Sequence, residues 1–269
     1  SMEEESGLTI VHDHYIHRSA GMTPEERFQF DLEGYLVVEN VLDADHLAEL
    51  NAPCDDPPGG WDGDMYRTSN VSQWGAAYQR LIDHPKLVPY LLELLGPQVR
   101  LDHDYCILMR KGAAAGGLHG GSSPQIGAGD HWYRHHNGVM RNGLTVFTFN
   151  LTDSPEGKGG FGCIPGSHKS NFVGDIPPEV RRYERNAHYV RNVPARAGDV
   201  IIFTEALVHG TVPWEAEGER RAVLYKYSPG HSSWSRGYYD QSKYTDLTDQ
   251  QKRFLEPPYI GQRENTVSD

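Results

Sequence analysis

Ala197-Gly198-Asp199-Val200-Ile201-Ile202-Phe203, running on to Leu207-Val208-His209-Gly210-Thr211, reads as a Gly-Asp turn, a β-branched strand, and a second strand that opens on a histidine. β-Branched and aromatic residues fit a pleated buried surface, and Gly-Asp is turn chemistry. Outward from this stretch the same texture repeats from Val99 onward. β-Rich runs at 99–109, 143–151, 160–164, 199–204 and 220–228 alternate with Gly/Pro turns. Such spacing predicts an antiparallel sandwich or barrel rather than βαβ units. A polar helical insert over about 177–187 and a short helix near 248–255 are expected beside the strands.

Upstream the texture is helical. Thr23-Pro24-Glu25-Glu26 supplies an N-cap, a proline at the first helical position and acidic residues in the first turn. Gly34 punctuates, and Tyr35-Leu36-Val37-Val38 reads as a short strand. Asp43 caps a second helix carrying Leu47 and Leu50, and 53–73, with Pro57-Pro58-Gly59-Gly60, reads as a loop. A further helix over 85–95 puts Leu87, Val88, Leu91, Leu92 and Leu95 on one face and ends at Gly96. The expected organisation is a flexible terminus over 1–22, holding His12, His14 and His17, and one domain over 23–269. In it a helical N-terminal layer supports a β-barrel.

Composition narrows the function. A net charge of −12 and a pI near 5.6 argue against binding nucleic acid or anionic membrane, both of which need basic surfaces. No run of 18 apolar residues occurs, and the acidic start, Met2-Glu3-Glu4-Glu5, lacks the apolar core of a secretory signal. Cys54, Cys106 and Cys163 are too few and too scattered for a disulfide framework or a CxxC metal knuckle. The expectation is a cytoplasmic protein whose partner is a small molecule. With 14 histidines in the chain, a histidine alone means little; its place in the strand plan has to select it.

Two segments are selected that way. Gly116-Gly117-Leu118-His119-Gly120-Gly121 follows the strand ending near 109–111, and His209 opens a strand about 90 residues later. Arg220 follows His209 by eleven residues, at the start of the run 220–227. Two imidazoles at strand ends can hold Fe(II) on one face, leaving positions for a chelating oxo-acid and O2. A buried arginine can grip the far carboxylate of that oxo-acid with two hydrogen bonds. A phosphate loop is excluded at 116–121, because no Gly-Lys-Ser/Thr follows and no helix opens there.

Together with Phe30-Asp31-Leu32-Glu33-Gly34-Tyr35-Leu36-Val37-Val38, Gly159-Gly160-Phe161-Gly162-Cys163-Ile164-Pro165-Gly166-Ser167-His168-Lys169, Gly198-Asp199-Val200, and His209-Gly210-Thr211 with Arg220, the chain resembles the phytanoyl-CoA dioxygenase family of Fe(II)/2-oxoglutarate oxygenases. The resemblance spans roughly 24–50 and 99–228. It implies a mainly-β double-stranded β-helix, a jelly-roll or cupin-like fold with flanking N-terminal helices. It further implies His119 and His209 as iron ligands, Arg220 as the clamp on 2-oxoglutarate, Thr211 as a hydroxyl assisting it, and Phe149 as a side chain lining the co-substrate pocket. His168 is implied as a structural loop residue.

One position departs from the family pattern. Where family hydroxylases carry His-x-Asp, this chain reads His119-Gly120-Gly121. Three outcomes follow: chloride fills the place left at Gly121 and the enzyme is a halogenase; water or a carboxylate from elsewhere, with Asp130 nearest in sequence, completes the shell of a hydroxylase; or the protein is a non-catalytic jelly-roll binder. Hydroxylation of an unactivated C–H bond is the leading expectation. A substrate-facing lid is drawn at His131-Trp132-Tyr133-Arg134-His135-His136, with His131, Trp132 and Arg134 as contacts; a plain surface loop explains it equally. Arg181, Arg182, Arg185 and Arg191 read as the solvated face of the inserted helix.

Overall fold

The Thr23 hydroxyl accepts the Glu26 backbone N–H while the Glu26 carboxylate accepts that of Thr23, a reciprocal cap that starts α1 (Pro24–Glu33) where the sequence places it. The computed structural model describes residues 22–121, 129 and 131–268. His12, His14, His17 and Asp130 lie outside that range. α1 leads through Gly34 into β1 (Tyr35–Val38), followed by α2 (Ala44–Asp55), the edge strand β2 (Met65–Ser69), the four-residue α3 (Ala76–Gln79) and α4 (Val88–Leu95). The strands β3 (Arg100–Met109), β4 (Tyr133–His136), β5 (Val139–Asn142), β6 (Thr145–Asn150) and β7 (Gly160–Cys163) come next. After α5 (Pro178–Arg181) come β8 (Arg191–Asn192), β9 (Val200–Thr204), β10 (His209–Val212), β11 (Arg220–Ser228) and α6 (Asp249–Phe254).

Every pairing among these strands is antiparallel. A six-stranded sheet in the order β1-β9-β6-β11-β3-β2 faces a three-stranded sheet, β10-β7-β8, and β4-β5 stands apart as a hairpin. The fold is therefore mainly β with flanking N-terminal helices, as expected. Two differences from the sequence reading stand out. The insert at 177–187 holds only the single turn of α5, and the stretch read as loop over 53–73 contributes β2.

Side chains on the large sheet alternate between two environments. Leu36, Cys106, Leu108, Phe147, Phe149, Val200, Ile202, Val223, Tyr225 and Tyr227 point outward into the helical layer, against Phe30, Leu50, Tyr78, Leu81 and Leu91. Tyr35, Tyr105, Ile107, Met109, Val146, Ile201, Phe203, Ala222 and Leu224 point inward against Phe161 and Cys163 of the small sheet. The period of two in a strand produces this division directly. The Phe161 ring, 4.7 Å from that of Phe203 and 6.0 Å from that of Tyr35, bridges the two sheets.

The family-like motifs at 30–38 and 159–169 prove to be two halves of one clip. Gly166 donates its N–H to Glu33 O at 3.0 Å, and His168 Nε2 donates to Asp31 O at 2.9 Å. Gly34 must be glycine here: its φ is +82°, and a Cβ would stand 2.7 Å from His168 Nδ1. Burial pulls the His168 imidazole down to about 4, so it packs neutral at pH 7. His168 is thus a structural residue, as the resemblance implied.

Candidate active site

His119 and His209 face each other as an antiparallel bridge, exchanging both backbone hydrogen bonds at 2.8 and 2.9 Å. Residues directly opposite in such a pair project to the same side, and the two imidazole centroids lie 4.5 Å apart. Each ring is also fixed in rotation. His119 Nδ1 stands 2.8 Å from Gly117 O, and His209 Nδ1 stands 2.7 Å from Leu207 O. A carbonyl only accepts, so both Nδ1 atoms carry the proton, and in the neutral ring that leaves the lone pair on Nε2. That is the tautomer and orientation a metal requires. Burial drags the His209 imidazole down to about 4, so it is neutral at pH 7.

Glu205, which continues the inward parity of Ile201 and Phe203, brings a carboxylate to the same place. It is 4% exposed, and its Oε2 lies 3.4 Å from His209 Nε2 and 4.0 Å from His131 Nε2. Its Oε1 accepts from Lys226 Nζ at 2.6 Å. Burial pushes the carboxyl upward, but the Lys226 ammonium and then His209 outweigh it and bring the group to about 2. Sequence reasoning missed both residues. The signal was there: one acidic residue in the apolar run from Val200 to Val208, and one lysine in the strand Arg220–Ser228. Among the described residues no three His, Cys, Asp or Glu side chains are already gathered into a metal-binding group.

Arg220 opens β11 with its side chain inward and 4% exposed. Nε has no partner, Nη1 reaches only Met109 Sδ at 3.5 Å, and no described carboxylate pairs with it. Burial lowers it to about 10, with Tyr105 as the small opposing influence, so it stays charged at pH 7. A buried guanidinium without an anion fits the far carboxylate of an oxo-acid such as 2-oxoglutarate. Thr211, two residues after His209 on β10, shares its face; the intervening Gly210 turns the other way, toward Tyr183 and Gly117.

Other expectations need correction. Phe149 does not line the inner space. Its ring lies on the helix-covered face, 5.6 Å from that of Tyr225; Thr148, one residue earlier, faces inward, and its buried hydroxyl has no partner. Of the lid residues, His131 reaches the site, with both ring nitrogens buried and unpartnered. Trp132 and Arg134, stacked at 3.9 Å, instead line a separate cavity of about 720 Å³ beside Leu95 and Arg141. The arginines 182, 185 and 191 pair with Glu184, Glu179 and Glu33. Arg181 donates to Leu118 O at 3.2 Å and so braces the His119 loop.

Residues 119–222 match the family described as Phytanoyl-CoA dioxygenase (PhyH), a span that starts on His119 and ends two residues past Arg220. The likeness to that family rests on this segment, which carries His119, His209 and Arg220. The chain is accordingly a non-haem iron/2-oxoglutarate enzyme, and the residues present suit both cofactors: two lone pairs for the metal, one free buried cation for the co-substrate. Solved structures share the fold. HygX from Streptomyces hygroscopicus, with nickel, 2-oxoglutarate and hygromycin B bound, is 25% identical at a TM-score of 0.68, over 80% of this chain and 90% of that one. SnoK, a non-haem α-ketoglutarate-dependent carbocyclase from nogalamycin biosynthesis, is 18% identical at 0.62, over 91% and 96%. SnoN, an epimerase from the same biosynthesis, is 18% identical at 0.57, over 88% and 94%. Among the described residues no helix is long and apolar enough to cross a membrane.

Proposed function

We propose that this protein hydroxylates an unactivated C–H bond of a small molecule. The observation that carries the reading is Arg220, a buried cation lacking an anion on the same inner face as the free Nε2 atoms of His119 and His209. His119 and His209 hold Fe(II); Arg220, helped by Thr211 and by the unpartnered Thr148 hydroxyl, holds 2-oxoglutarate. When bound, iron and 2-oxoglutarate would supply the oxidising chemistry, in which substrate, O2 and 2-oxoglutarate give hydroxylated product, succinate and CO2. Phe161, Phe203 and Tyr35 keep the space between the sheets apolar, which strengthens the Arg220–carboxylate interaction.

The substrate enters by a cleft of about 580 Å³ whose walls include Arg67, Asp102, His103, Tyr105, Lys226 and Trp234. Lys226 belongs both to this wall and to the Glu205 pair, so the cleft abuts the metal site. Its mix of carboxylate, cation and aromatic faces suits a polar small molecule; HygX is known with hygromycin B bound. Chloride at the place of Gly121 is the competing reading. A Cβ at Gly121 would meet Val173 and Val208 at 3.2 and 3.3 Å, so a side chain there points into an apolar cluster. Its absence therefore opens little room for a halide between the histidines.

The test is anaerobic addition of Fe(II) and 2-oxoglutarate to metal-free protein. A visible charge-transfer band, with succinate formed once air is admitted, is expected. Folded protein that gives neither band nor succinate would sink the reading and favour a binding protein.

A further inference from the structure

We infer that Glu205 supplies the carboxylate ligand that the chain lacks at Gly121, with Lys226 as the residue that positions it. The inference rests on the iron/2-oxoglutarate reading and deepens it. Non-haem iron oxygenases of this kind hold the metal with two histidines and one carboxylate on one face. Position 121 is not simply truncated here, because the backbone is turned away as well: φ is +96° and the Cβ direction runs to Val173 and Val208. Gly121 N–H donates to Glu205 O at 3.1 Å, so the position that has no carboxylate touches the residue that has one.

The distances support a ligand role. With bonds of about 2.1 Å meeting at right angles, neighbouring donor atoms on one metal lie about 3 Å apart; Glu205 Oε2 and His209 Nε2 are 3.4 Å apart. The carboxylate divides its oxygens, Oε1 to Lys226 and Oε2 toward the imidazoles. A ligand held from behind by a hydrogen-bonded partner is the usual outer arrangement of a metal site. His131, whose two ring nitrogens are shielded from solvent without hydrogen-bond partners and whose Nε2 lies 4.0 Å from the same oxygen, marks the place as one built for something further. The trio is an approach to a ligand shell rather than a finished one, and ordinary side-chain rotations close it. An acidic ligand four residues before the distal histidine thus replaces one two residues after the proximal histidine.

The experiment uses the whole chain, stripped of metal and kept anaerobic. Fe(II) affinity is read by competition with a chromophoric chelator, and the ligand set by the visible spectrum of the Co(II) form. Glu205→Gln should weaken Fe(II) binding about 100-fold and alter the Co(II) spectrum. Glu205→Gln with Lys226→Met, which removes both members of the buried pair together, should do the same, so poor folding of the single variant does not decide the matter. Lys226→Met alone should weaken binding about 10-fold and keep the Co(II) spectrum. Formate should restore affinity to Glu205→Ala, and adding Gly121→Asp to Glu205→Gln should not. Chloride should shift the Co(II) spectrum of Glu205→Ala and leave that of the natural protein unchanged. If the natural protein binds Fe(II) and 2-oxoglutarate but both Glu205→Gln forms match it in affinity and spectrum, the inference is wrong while the function stands. If the natural protein binds neither, both fall.

Discussion

The two faces of the six-stranded sheet treat polar groups in opposite ways. On the helix-covered face the buried hydroxyls are all answered: Tyr225 donates to Tyr78 O at 2.6 Å and Tyr227 to Ile82 O at 2.7 Å, with their rings edge-on to Phe149 and Phe147. On the face toward the small sheet, Arg220 has no anion, Thr148 has no acceptor, and Lys226 pairs with Glu205, whose other oxygen looks to His209. Folding alone gains nothing from the second pattern, since an unpaired buried polar group costs about 1–3 kcal/mol. One face of the same strands is organised for stability, and the other is held short of satisfaction for ligands.

The strongest attempt to break that division is Phe149→Ala. It should cost about 3–5 kcal/mol of stability by urea titration, as for other buried aromatics, yet leave 2-oxoglutarate affinity unchanged. A large loss of co-substrate affinity in a still-folded variant would put Phe149 back in the pocket. Arg220→Met tests the other face. Affinity for 2-oxoglutarate should fall about 100-fold, the scale of breaking a buried charge pair, while the melting temperature without ligands holds or rises. A clear drop in that temperature would make Arg220 a structural residue.

A third variant separates buried histidines that pack from those that bind. His168 titrates at about 4 in the fold, against about 6.5 when unfolded. Between those values the unfolded chain binds the extra proton, so the stability this group contributes is present above pH 6.5 and is lost as pH falls toward 4. His168→Asn should lower stability at pH 7 but flatten the acid loss by about 1 kcal/mol per pH unit, read from unfolding curves at pH 7 and 5. An unchanged slope would refute it. The smallest effect is expected from Tyr225→Phe, about 1 kcal/mol for one hydrogen bond, with no change in metal binding.

Much of this was open to inspection in the chain. The strand runs ending at Met109, Asn150, Thr204 and Ser228 were legible because β-branched residues and Gly/Pro turns mark them, and the places of His209 and Arg220 at strand starts were legible by spacing. The face of Phe149 was not, because Thr145–Asn150 is buried on both sides and carries no polar alternation from which to read a register. The β4-β5 hairpin was hidden by side chains that read equally as a loop. Glu205 stood in view, but only the bridge between His119 and His209, and the turn of the chain at Gly121, give that position its meaning.

The outermost strand β1 has consequences for how the protein is made. Tyr35 pairs with Phe203, 168 residues later, and within the large sheet β1 has no neighbour but β9. At ribosomal speeds of roughly 5–20 residues per second, about 10–30 s pass between the appearance of β1 and that of its partner. Throughout that interval Leu36 has no sheet to join, and until His168 emerges the clip at Gly34 has nothing to close on. The nascent chain thus carries an open edge for most of its synthesis, and completion of the sheet and of the iron pocket are one late event.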